Sequence, residues 1–382
     1  MIEVKQISSK NDKKKFFKFV IDLYKGNKCA SPNLYADEFA EFDPAVNDAF
    51  RFCECKMFLA YKDGKIAGRV AGIWHKGVNE KFGYKQLRFT RFDVIDDFEV
   101  TKALFAELIK WAKEIGMEEI IGPMSFSDLN EEGMLIDGFD KYCMYIEMYN
   151  APYYVEHMQK LGAYKVVDWN CYRIPVPEKH DERLERLSQK IMERNGYELL
   201  DVAYLLKHDK KKLTGYIMQC MDVLDEAFED LYGTSPLNEK QKQREIDTIY
   251  QVLIPEFAGV ILKDDKVIAY GFMMPSMTKV LQKSKGSIIP RGIFAYINAM
   301  KHVEIADMMS IGVAKEHANR GAVALIMNSC LKGLIKNNVK FLETGPELES
   351  NNNVQNLWKN YNPELVKKRR CWGIKVNGES ND

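Results

Sequence analysis

The sequence predicts an α+β fold of three-layer α/β units, two in tandem, each a mixed, mostly antiparallel sheet flanked by helices. Three observations lead there. At 382 residues the chain is too long for one ordinary domain and suits two of about 150–200. Four landmarks recur in the same order. Each copy also reads as a hairpin, a third strand, an apolar-striped helix and a further strand.

The landmarks run as follows. Asp12-Lys13-Lys14-Lys15-Phe16 returns as Asp209-Lys210-Lys211-Lys212-Leu213. Asp22-Leu23-Tyr24, followed by Ser31-Pro32, returns as Asp230-Leu231-Tyr232, followed by Ser235-Pro236. Lys62-Asp63-Gly64-Lys65-Ile66 returns as Lys263-Asp264-Asp265-Lys266-Val267, a hairpin turn between apolar runs. The third strands are expected near Leu87–Val94 and Ala306–Val313. Helical spacing follows in Val100, Leu104, Leu108, Ile109 and Trp111, and again in Ala324, Leu325, Met327, Leu331 and Leu334. Short strands then end at Gly122-Pro123 and Gly345-Pro346. Prolines in Ile174-Pro175-Val176-Pro177-Glu178 mark a linker, giving copies at 1–177 and 178–382.

Composition narrows the function. Fifty-five basic and 55 acidic residues cancel, so no general attraction to nucleic acid is expected. The eight cysteines lack paired metal or redox spacing, and no metal is expected. Met1-Ile2-Glu3-Val4-Lys5 carries no signal sequence, and no apolar run reaches spanning length. These features predict a cytoplasmic chain with reduced thiols and no membrane span; they leave the oligomeric state open.

Ile311 to Leu325 reads I-G-V-A-K-E-H-A-N-R-G-A-V-A-L. This resembles the GNAT acyltransferases, whose strand ending in Val leads through R/Q-x-x-G-x-G/A into a helix. The resemblance implies an acyl-coenzyme A co-substrate. Its pyrophosphate would lie on backbone N–H groups of Asn319, Arg320, Gly321, Ala322, Val323 and Ala324 at the helix N-terminus. A backbone N–H near Ile311 to Val313 would polarise the thioester carbonyl. Ala318 and Val323 depart from the pattern, where Arg or Gln and a second Gly or Ala are usual. In the first copy Ile95-Asp96-Asp97-Phe98-Glu99 replaces the glycine-bearing segment, and its acidic charge disfavours a pyrophosphate. That copy is expected not to bind the coenzyme.

Asn351-Asn352-Asn353-Val354-Gln355-Asn356-Leu357-Trp358 resembles the family's last helix. Asn351 takes the position that meets the coenzyme's linker. Trp358 stands where a tyrosine commonly protonates the departing thiolate, so that role is expected to be missing or moved to Tyr361. Gly122 to Phe139 reads G-P-M-S-F-S-D-L-N-E-E-G-M-L-I-D-G-F and resembles a stretch found in a group of bacterial tandem proteins. Its Glu131, Glu132 and Asp137 are general-base candidates, as is Glu343. Asn130 and Asp137 read equally well as turn formers. Tyr142, Met144, Tyr145, Met148, Tyr149, Tyr153 and Tyr154 fit either an apolar pocket or core packing.

The expected function is acyl transfer from acyl-coenzyme A to an amine, a small molecule or a lipid-like one. Two other readings stay open: a non-catalytic coenzyme- or ligand-binding module, and an aminoacyl-tRNA-dependent transferase of related tandem fold.

Overall fold

The computed structural model describes residues 1–377; residues 378–382, the end of the expected second copy, lie outside the described residues. The first copy carries β1 (Ile2–Ile7), β2 (Cys53–Lys62), β3 (Lys65–His75), β4 (Gln86–Val94), β5 (Glu119–Gly122), β6 (Met134–Asp137) and β7 (Tyr164–Pro175). The second carries β8 (Glu198–Leu199), β9 (Ala258–Lys263), β10 (Lys266–Pro275), β11 (Ile305–Val313), β12 (Phe341–Thr344), β13 (Glu347–Leu348) and β14 (Glu364–Lys375).

The two hairpins form as the dipeptides predict. Asp63 and Gly64 hold left-handed backbone at φ 51° and 78°, and Asp264 and Asp265 do so at 50° and 62°. Two successive positive φ angles match the twist of the flanking strands. Next in each copy, an antiparallel neighbour (β4 or β11) pairs in parallel with the strand that follows the helix (β5 or β12). The connecting helices pack their apolar stripes on the sheet. Phe98–Glu114 buries Val100, Leu104, Leu108 and Trp111; Ala322–Lys336 buries Leu325, Ile326, Cys330 and Leu334.

All fourteen strands of the described residues join one sheet. Its order is β1-β2-β3-β4-β5-β14-β7-β12-β11-β10-β9-β8, with β13 on β7 and β6 on β14. The last strand of each copy therefore serves the other. β14 lies against β5, pairing Trp372 with Gly122, while β7 lies against β12. Ile174 and Pro175, read as linker from the prolines, instead close β7, where Ile174 pairs with Leu342. Proline lacks an N–H but is tolerated at a strand end.

The seam between β14 and β7 buries charge. Lys367 on β14 donates to Glu147 Oε2 at 2.6 Å and to the Tyr142 carbonyl at 2.8 Å, and it lies 3.6 Å from Glu343. Lys367 and Glu147 are fully buried, so each depends on the other for its charge. No helix among the described residues is long and apolar enough to cross a membrane.

Candidate active site between the two copies

In both copies the parallel pair is short and then opens. β11 and β12 are paired from Ile305–Phe341 to Met308–Thr344, after which β12 turns away at Gly345. The register of β10 on β11 slips at this point, leaving Met309 as an extra residue between Met308 and Ser310. The same irregularity occurs in β4, where Arg91 takes a left-handed φ of 51°. Bulges of this kind re-aim side chains and free backbone groups.

The two openings differ in what fills them. In the first copy the helix Tyr153–Lys160 supplies the filling. Tyr154 Oη accepts from the Val94 N–H at 2.8 Å, and Tyr153 donates to the Val94 carbonyl at 2.6 Å. Tyr154 is fully buried among Phe92 and its neighbours. In the second copy Met308, Met309, Ser310, Ile311, Thr344 and Gly345 border a cavity of about 690 Å³. That cavity extends between the copies to Asp37, Glu41, Glu131 and Glu132 of the first and Arg244 and Glu245 of the second.

The helix N-termini differ in the same sense. Asp97 caps the helix Phe98–Glu114 by accepting from the Glu99 N–H, and an ion pair with Lys62 lowers its pKa. The helix Ala322–Lys336 starts at Gly321, which has φ 88° and no side-chain cap. A Cβ at Gly321 would come within 2.8 Å of Ile191, so glycine is required by both backbone and packing. Asn319 is also left-handed, Arg320 is exposed, and the N–H groups of Ala322 and Val323 begin the helix. His317 turns inward, its ring 2.8 Å from the Tyr197 hydroxyl, rather than toward the loop exterior.

The carboxylates of the cavity wall are unevenly partnered. Arg91 alone serves two of them, Glu41 at 2.5 Å and Glu131 at 2.9 Å, and also holds Glu38 at 2.9 Å, which does not itself line the cavity. Burial raises Glu41 to about 7 and, with help from Glu38, Asp37 to about 6. Burial also raises Glu245, and it pushes Glu132 well above the carboxylate range, with its Oε1 unpartnered among the described residues. Such a surplus of buried acids is relieved by a bound cation.

Glu347 on β13 lies two residues beyond Gly345, and unlike Asp307 and Glu343, which flank the last parallel pair, it lines the cavity. Its Oε1 accepts from the Trp358 indole N–H at 2.8 Å, and its Oε2 has no hydrogen-bond partner among the described residues. Burial raises its pKa to about 7, offset in part by that indole. Glu347 lines the cavity. Sequence reasoning missed it; the tryptophan in place of the family's tyrosine was the available signal, since an indole donates a hydrogen bond but no proton.

The sequence-derived candidates divide on this geometry. Glu131, Glu132, Ile311 and Asn351 line the cavity, Asn351 also capping the helix Asn352–Trp358. Glu131 is ion-paired with Arg91, while burial pushes the pKa of Glu132 upward. Glu343 lies off the cavity, bound by Arg173 at 2.8 Å. Asp137 is exposed on β6 and accepts from the Gly138 N–H, and Asn130 accepts from the Ser127 N–H, both as turn formers. Tyr361 packs beside the second core, away from the cavity. Val313 ends β11, and residues 319–324 form the loop and helix start beyond it, so β11 links the loop to the opening. Of the aromatic and methionine cluster, Tyr145 reaches the cavity, whereas Met144 and Tyr154 are core. No group of three or more metal-binding side chains occurs among the described residues.

A solved tandem GNAT protein from the clavulanic acid biosynthesis pathway superimposes on the entire chain and over its own full length, with TM-score 0.57 at 11% identity. The chain has the tandem GNAT fold. No family model matches the sequence. Protein YghO of Escherichia coli (strain K12) is 23% identical over 378 residues, covering 97% of this chain and 94% of its own. A bacterial ceramide synthase of Caulobacter vibrioides (strain NA1000 / CB15N) is 22% identical over 286 residues, covering 74% and 73%. Within the GNAT fold, both parallel pairs open, but the opening onto the cavity and the connecting helix without a side-chain cap belong to the second copy.

Proposed function

We propose that this chain is an acyl-coenzyme A-dependent N-acyltransferase whose acceptor is a long-chain primary amine. The observation that carries the reading is the continuity of one cavity. It runs from the opening beside Met309 and Ile311, past Glu347, to the carboxylate-rich wall of the first copy. Met274, Met277, Val280, Leu281 and Met308 give it an apolar side suited to an alkyl chain. The ceramide synthase relative supports the same class, since a ceramide is an N-acylated long-chain amino alcohol.

The residues of the second copy fit the coenzyme. Gly321 and the uncapped N–H groups of Ala322 and Val323 offer donors to a pyrophosphate. From Met309 to Val313, β11 spans about 13 Å, a straight edge along which an extended pantetheine would lie. Bound acyl-coenzyme A supplies an activated thioester carbonyl. The capped helix and the tyrosine-filled opening support a first copy that serves the acceptor side instead.

Each remaining task falls to a residue of the cavity. The carboxylates around Arg91, together with Asp37, draw in the cationic amine. An ammonium has no lone pair, so it must be deprotonated before attack. Glu347 Oε2 takes that proton, directly or through water; a base with pKa about 7 is ionised for half its population at neutral pH. Backbone N–H groups near Ile311 stabilise the negative charge that grows on the carbonyl oxygen. As the C–S bond breaks, the proton on Glu347 passes to the departing sulfur and the second proton of the adduct's nitrogen leaves to water, so the missing tyrosine is not needed.

The test is mass spectrometry of products from a panel of primary amines of increasing chain length, with short- and long-chain acyl-coenzyme A. The expected result is an N-acylated long-chain amine, with short amines poor substrates. A thermal shift with coenzyme A but no turnover on any amine would instead support a binding module. No shift and no turnover would remove the proposal.

A further inference from the structure

Between Ser276 and Val303 the chain carries Lys279, Lys283, Lys285, Arg291 and Lys301 and not one carboxylate. All five basic side chains are exposed. The same segment holds the three large apolar side chains Ile289, Phe294 and Ile297, exposed to 73%, 81% and 43%. Phe294, Ile297 and Lys301 fall at helical spacing on one face of Ile293–Lys301, a nine-residue helix with no buried residue. Its opposite face, Ala295, Tyr296, Ala299 and Met300, packs on Met274, Met277 and Val280. The turn Lys25–Lys28 adds two exposed lysines, held alongside by Gln282 donating to the Lys28 carbonyl at 2.6 Å. Glu304, which ends the acid-free run, lies 3.4 Å from Lys279.

We propose that this segment is a docking surface for an anionic lipid bilayer. An apolar tip ringed by a surplus of cations is the pattern by which a helix lies in a membrane interface. Charge decides the occupant. A second copy of this chain would bring like charge against like, whereas anionic headgroups neutralise it. Neighbouring residues of the segment, Met277, Val280, Leu281, Ile288 and Tyr296, line the acceptor cavity. Docking would thus set the cavity wall against the bilayer. That delivery route rests on the amino-lipid reading; the docking itself does not.

Co-sedimentation of the full chain, without substrate, tests the docking. The vesicles are phosphatidylcholine alone, or equal parts phosphatidylcholine and phosphatidylglycerol. The expected result is binding to the anionic vesicles, weakened by salt, and little to the neutral ones. Phe294→Ser with Ile289→Ser, and separately Lys283→Glu with Lys285→Glu, are each expected to weaken binding by roughly tenfold or more. These side chains are exposed, so thermal unfolding should be unchanged. Failure of the parent chain to bind, or full binding by both variants, overturns the proposal. So does a concentration-dependent dimer that Phe294→Ser dissolves in the absence of vesicle binding. Turnover of a detergent-dispersed amine, measured alongside, reports on the acyltransfer reading separately.

Discussion

Burial in the cavity wall lifts Glu347 from the ordinary glutamate value of 4.5 to about 7, against the opposing pull of the Trp358 indole. That displacement bears on both rate and stability. For the rate, kcat/KM should rise with pH through about 7, and Glu347→Gln should lower kcat by roughly 10²–10⁴-fold and remove the rise. For stability, the folded-state pKa is raised above the unfolded one. The contribution of Glu347 is then fully present below about 4.5 and is lost as pH rises through about 7. At pH about 8 the Gln variant should therefore be more stable than the parent, by on the order of 1–3 kcal/mol, with the gain vanishing near pH 4. Urea unfolding across that range checks the second half of the prediction. A residue whose removal costs activity and adds stability is held for chemistry.

Among the elements, those fixed by local chemistry were legible and those fixed by distant partners were not. Asp63-Gly64 and Asp264-Asp265 announce their turns because aspartate and glycine tolerate positive φ. The helices Phe98–Glu114 and Ala322–Lys336 show in their apolar spacing. The destinations of β7 and β14 do not, since nothing in either strand names a neighbour some 170 residues or more away. Glu347 is hidden for the same reason: its pKa comes from burial and from Trp358, eleven positions on. Gly321 was legible, and its role is testable at this scale. Gly321→Leu forces a side chain into φ 88° and against Ile191. Coenzyme A affinity should fall by at least tenfold (about 1.4 kcal/mol) by calorimetry, and Gly321→Ala should lose less. Unchanged affinity in both would move the coenzyme away from this loop.

Across the whole molecule, the exchange of last strands ties the stability of each copy to the other. β14 completes the sheet of the first copy and β7 that of the second, and the two strands also pair with each other. Neither copy can lose its sheet without exposing an edge of its partner, so unfolding should be one transition. Lys367 sits on that seam between Glu147 of the first copy and Glu343 of the second. Lys367→Met leaves Glu147 buried without its cation, a change that costs about 3–5 kcal/mol. Spread over a chain of this length, it should lower the melting temperature by about 4–6 °C. Calorimetry should record a single peak displaced downward, because the lost pair belongs to both copies. Two separate peaks, with only one displaced, would mean that the copies melt independently and that the shared sheet does not couple them. The single peak matters for function as well, since the cavity takes walls from both copies and exists only while the seam holds.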